Sequence, residues 1–97
     1  MTIIKTKIKT KSTQFAANAK AMQAKVDDLN QTLKSIAEGG GARACERHVS
    51  RGKLLPRDRI LTLLDANTPF MELSPLAAHK VYSEYVPAAG IITGIGQ

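Results

Sequence analysis

Apolar residues in the first third of the chain recur at alternating steps of four and three: Phe15, Ala19, Met22, Val26, Leu29, Leu33 and Ile36. Three heptads of that spacing put one narrow apolar seam on a helix, and the pattern predicts a long amphipathic helix over residues 12–38. Ser12 or Thr13 is placed to cap its start, because a hydroxyl there accepts an otherwise orphaned backbone N–H. Gly39, Gly40 and Gly41 end it, since glycine tolerates the left-handed turn that closes a helix. Lys20, Lys25, Asp28, Gln31 and Lys34 occupy the other side. The seam fits two occupants, the body of its own subunit or a partner helix in a coiled coil, and periodicity alone does not choose between them.

The remaining two thirds read as short elements. Residues 42–51 predict a second helix stopped by Gly52, with Arg43, Arg47 and Arg51 in line at i, i+4 and i+8. Like charges so placed repel unless something anionic lies against them. Pro56 suits the first turn of a third helix and Asp58 complements its dipole. Ile60, Leu61, Leu63 and Leu64 are its expected buried face, and residues 65–69 break it. The alternation in Phe70-Met71-Glu72-Leu73-Ser74 predicts a strand, residues 75–89 an ordered loop, and Ile91, Ile92 and Ile95 a final strand. Gly94 and Gly96 within that strand mark a close approach by another backbone or a ligand. Nothing in the sequence identifies the final strand's partner. The pattern is α+β, helices leading into a first few strands.

Charge adds a direction. The formal net charge is +6, with +4 on residues 1–11 (Lys5, Lys7, Lys9, Lys11) and +4 on residues 42–59. Residues 1–11 read as a flexible basic N-terminus: acid-poor like a transit peptide, but without arginine. Such clusters favour anionic partners. A nucleic-acid reading finds no aromatic residue among the basic ones to stack on bases, so no nucleic acid is expected. No apolar run reaches membrane-span length, so no membrane is expected either. The lone Cys45 excludes an intramolecular disulfide, and Cys45 with His48 is two ligands where a zinc site needs three or four. No phosphate-binding loop follows Gly41, and neither His48 nor His79 sits in a catalytic motif. Four aromatic residues make a sparse core for a free-standing globule.

Gly39-Gly40-Gly41, Arg51-Gly52-Lys53-Leu54-Leu55-Pro56-Arg57-Asp58-Arg59-Ile60, Leu63-Leu64-Asp65, Pro69-Phe70-Met71-Glu72-Leu73-Ser74 and Gly90-Ile91-Ile92-Thr93-Gly94-Ile95-Gly96 occur in that order. This series resembles the N-terminus of the carboxyltransferase (beta) subunits of biotin-dependent acyl-CoA carboxylases, nearest in motif to the methylcrotonoyl-CoA branch. From about Ser12 the likeness covers nearly the whole chain. It implies a crotonase-like ββα superhelix, of which residues 42–97 are the incomplete start of the acyl-CoA carboxyltransferase N-terminal domain. The implied reaction moves a carboxyl group from carboxybiotin to an acyl-CoA, 3-methylcrotonoyl-CoA of leucine breakdown, with geranyl- or propionyl-CoA as alternatives. Biotin is carried by a partner (alpha) subunit, the biotin carboxylase/biotin carrier, which also uses ATP and bicarbonate. Other beta subunits form a homo-oligomeric core. The implied location is the bacterial cytoplasm, or the mitochondrial matrix in a eukaryote. The oxyanion-hole loops of that family lie downstream, so no catalytic residue is expected among these 97 and the isolated chain is expected to be inactive. Arg51, Lys53, Arg57 and Arg59 are the candidates for CoA phosphates, since phosphate needs charge-assisted donors. Two alternatives stand beside this: Arg57 and Arg59 as ion-pair anchors for their helix, and residues 12–38 as a helical oligomerisation module.

Overall fold

The computed structural model describes residues 2–97, which divide into one unit ending at Gln31 and another spanning Thr32–Gln97. The first helix, α1, runs Thr13–Ala37 and continues from one into the other. Of the two hydroxyls offered by the sequence, Ser12 caps it. Its Oγ accepts the Phe15 amide at 3.1 Å and donates to the Lys9 carbonyl at 2.8 Å. The expected glycines close the helix: the Gly39 amide donates to the Ile36 carbonyl at 3.0 Å while Gly39 turns to φ 72°. Within the first unit, Phe15, Met22, Val26 and Leu29 stay 40–62% exposed, so the seam there is bare.

The second unit holds α2 (Ala42–Ser50), α3 (Pro56–Leu63), strand β1 (Met71–Leu73), a short turn at Pro87–Gly90 and strand β2 (Thr93–Ile95). Gly52 ends the α2 region as expected, with φ 73° and its amide on the Val49 carbonyl at 2.8 Å. Pro56 opens α3, where its missing N–H costs nothing. The buried face of α3 is narrower than its sequence suggested. Leu61 and Leu63 are exposed, while Ile60 and Leu64 are half-buried one turn apart. A helix of two turns offers one stripe to a neighbour, and i, i+4 is that stripe.

The final strand does have a partner. β1 and β2 pair antiparallel, Met71 opposite Ile95, Glu72 opposite Gly94 and Leu73 opposite Thr93. Both strand glycines mark close approaches, here by the chain's own side chains. The Phe70 ring lies where a side chain on Gly94 would stand, and a Cβ on Gly96 would come within 2.7 Å of Leu64. The last residue is tied down as well, the Gln97 carbonyl accepting the Asp65 amide at 2.8 Å.

Burial is sparse. Ile36 and Ala88 are the fully buried hydrophobic residues among those described. Ala88 reaches its place through a left-handed turn in which Ala88, Ala89 and Gly90 all have positive φ, and the Ala89 amide donates to the Ala77 carbonyl at 2.9 Å. Tyr85 joins the same region to the end of α1, its hydroxyl donating to the Ser35 carbonyl at 3.2 Å.

Candidate functional site

The basic residues of the second unit sort into one that is engaged and several that are not. Arg57, in the first turn of α3, forks onto the Glu72 carboxylate of β1, with both Nη atoms donating and the Nη2–Oε1 bond at 2.8 Å. The pair is half-buried, at 28% and 20% exposure. The two hydrogen bonds hold the Arg57 guanidinium above its ordinary range, opposed in part by desolvation and helped by the nearby charge. Arg51, at the end of α2, Lys53, in the link to α3, and Arg59, on α3, are exposed. They make no ion pair among the described residues. The structure therefore brings Arg57 to the sheet and leaves Arg51, Lys53 and Arg59 at the surface.

The link that carries Lys53 is held from below. The half-buried His48 ring reaches the Leu54 carbonyl, Nε2 to oxygen at 3.0 Å. A carbonyl only accepts, so Nε2 carries the proton there. Cys45 donates its thiol to the Glu38 carbonyl at 3.6 Å. Each of the two side chains answers a backbone acceptor. Together they line a groove of about 480 Å³ with Gly39, Arg57, Ala88 and Ile91 among its walls.

Sequence reasoning did not single out Glu72, which determines what Arg57 does. Its signal was present but ambiguous: an acid at the centre of a three-residue strand, on the face opposite Met71 and Leu73. No spacing rule links it to an arginine fifteen positions earlier.

Residues 47–97 match the carboxyl transferase domain family, and the chain belongs to it. The beginning of that match falls within α2, so it takes in Arg51, Lys53, Arg57, Arg59, Glu72 and the whole sheet. The chain is 44% identical over 96 residues to a probable mitochondrial methylcrotonoyl-CoA carboxylase beta chain of Drosophila melanogaster, 98% of this chain and 17% of that one. It is 58% identical over 72 residues to the biotin-dependent 3-methylcrotonyl-coenzyme A carboxylase beta1 subunit of Mycobacterium tuberculosis, covering 74% of this chain and 14% of the relative. Against the mitochondrial methylcrotonoyl-CoA carboxylase beta chain of Arabidopsis thaliana the identity is 48% over 85 residues, 88% of this chain and 14% of the other. The expected likeness to beta subunits of acyl-CoA carboxylases is thus borne out. The chain spans less than a fifth of the length of these relatives. Among the described residues no helix is long and apolar enough to cross a membrane.

Proposed function

We propose that these residues are the N-terminal portion of a biotin-dependent carboxyltransferase subunit that carboxylates an acyl-CoA, 3-methylcrotonoyl-CoA, in the degradation of leucine. The observation that carries this reading is the identity to methylcrotonoyl-CoA carboxylase beta chains, 44% over 96 residues and 58% over 72. In that role the segment opens a crotonase-like fold whose catalytic loops lie elsewhere in the subunit. A partner subunit delivers carboxybiotin, after charging biotin with bicarbonate at the expense of ATP. Beta subunits associate in a homo-oligomeric core, in the mitochondrial matrix or the bacterial cytoplasm.

The contribution of this chain's own residues is electrostatic. Arg51, Lys53 and Arg59 are exposed cations with no carboxylate partner among the described residues, suited to the phosphates of a CoA. Arg57 already has its anion in Glu72, so its role toward CoA is to fix the helix that carries Arg59. His48 supports the same arrangement by holding the link on which Lys53 sits. None of these groups touches the acyl carbon, and the isolated chain is inactive.

The test is made in the intact subunit. Arg51→Ala combined with Lys53→Ala is expected to raise KM for the acyl-CoA by at least about tenfold while kcat changes little, as loss of two charge-assisted donors implies. An unchanged KM with the fold intact removes the phosphate role. Absence of carboxyltransfer to any acyl-CoA by the unsubstituted subunit removes the broader reading.

A further inference from the structure

Between β1 and β2, residues 77–89 form a loop whose two ends meet. Its neck is closed by the Ala89 amide, which donates to the Ala77 carbonyl at 2.9 Å. A surface loop with joined ends behaves as a compact unit of its own. Little holds its middle, where Val81, Tyr82 and Tyr85 are 57–69% exposed. Nor does the loop fill the space it surrounds. A cavity of about 310 Å³ is lined by the loop's own residues and by Ile36 at the end of α1.

The backbone of this loop is strained. Among the described residues six non-glycine positions have left-handed φ, and four of them lie here: Ala78, Lys80, Ala88 and Ala89, at φ 51–63°. An L-residue stays in that region only while its surroundings hold it there. Two contacts on the returning limb do so. The Tyr85 hydroxyl donates to the Ser35 carbonyl, in the last turn of α1, at 3.2 Å, and Ala88 is buried. Strain that favours release is thus opposed by one hydrogen bond and one small side chain. The antiparallel pairing of β1 with β2 joins the chain on either side, so the loop can lift while the strands stay paired.

The returning limb also has a second face. Pro87 and Ala88 line the loop's cavity on one side and, on the other, the groove of about 480 Å³ that holds Cys45, His48 and Arg57. They are a wall common to both spaces. We propose that residues 77–89 are a lid, pinned to the end of α1 by Tyr85 and Ala88. It opens as one unit on the paired strands, and opening removes the wall that Pro87 and Ala88 give to the groove of Cys45 and His48.

Tyr85→Phe in the intact subunit tests this, since it removes the hydroxyl pin and keeps the ring. The Ala89 and Ile91 amides, bonded to the Ala77 and Ala88 carbonyls, report the closed loop. In the variant they are expected to exchange about fivefold faster, as loss of one neutral hydrogen bond implies, while the amides of β1 and β2 are unchanged. Cys45 reports the groove. Its alkylation by iodoacetamide, followed on its own peptide by mass spectrometry, should quicken by a similar factor. Exchange at Ala89 no faster than in the strands of the unsubstituted subunit overturns independent opening. Equal acceleration in loop and strands reduces Tyr85 to a general structural contact and overturns the lid. An unchanged Cys45 rate overturns its reach over the groove.

Discussion

At the scale of single residues, the bidentate pair between Arg57 and Glu72 is the strongest polar link within the second unit. Replacing Glu72 by Gln leaves a half-buried guanidinium without its anion, and about 1–3 kcal/mol of stability is expected to go with it. Arg57→Ala should cost a similar amount, and the double variant little more than either, since both delete the same contact. Urea denaturation of the three variants checks both the size and the non-additivity. The arginine also has a pH signature. A group raised in the folded state contributes its stability below its unfolded value and loses it as pH rises through the folded one. For Arg57 that window lies above the ordinary arginine range, so the urea midpoint should be insensitive to this pair between neutral pH and pH ~10. Arg57→Lys brings the window down: its remaining contribution should fade as pH passes about 10, where lysine deprotonates. A midpoint that falls equally in the unsubstituted chain would show that another group controls the alkaline limb.

Gly94 makes the second residue-scale prediction. A Cβ at this site runs into the Phe70 ring and stands 2.6 Å from the Met71 carbonyl oxygen. Gly94→Ala should therefore destabilise the sheet by about 1–3 kcal/mol. Phe70→Leu in the same chain should return part of the loss, because the ring is the movable part of the clash. Amide exchange at Met71–Leu73 and Thr93–Ile95 reads this directly, as those amides report the pairing of β1 with β2. The glycines were legible in the sequence as a close approach, but their neighbours were not. Phe70 and Leu64 are 24 and 32 positions away from the glycines they cover, and only the return of the chain brings them there.

At the scale of elements, boundaries followed local chemistry closely. The Ser12 hydroxyl, the three glycines after α1, Gly52 and Pro56 each act on backbone groups within a few positions, so their effects could be read without a fold. Ser12→Ala is accordingly expected to fray the start of α1 at a cost of about 1 kcal/mol, seen as lower helix content and faster exchange at Phe15. The turn at Ala88-Ala89 shows the opposite case. Nothing about two alanines announces a left-handed conformation, which costs an L-residue about 1–2 kcal/mol. The site is maintained by contacts from afar, Ala88 being buried and the Ala89 amide held by the Ala77 carbonyl. Ala89→Gly should relieve the strain and raise the thermal midpoint slightly. A lower midpoint would mean that glycine's extra freedom in the unfolded chain outweighs the relief. The width of α3's buried stripe was likewise beyond local reading. Four apolar residues were available, and of these Ile60 and Leu64 are half-buried, Leu64 lying against Gly96 from the far end of the sequence.

At the scale of the whole molecule, the helix periods, the breaks, the clustering of charge and the family to which the chain belongs are all readable along the chain. These are properties of neighbouring residues or of ordered motifs, and they survive without a third dimension. How the cations divide was set only on folding. Four basic groups, Arg51, Lys53, Arg57 and Arg59, were equivalent as donors to an anion until folding set Glu72 beside one of them and left the others without an ion pair among the described residues. Folding also supplied the terminal strand with a partner, through a pairing that spans more than twenty residues of chain. The physical reason is the same in both cases. Charge and hydrogen-bonding capacity are written into each residue, but which groups satisfy one another depends on which distant segments meet, and burial and strand pairing settle that only when the chain closes.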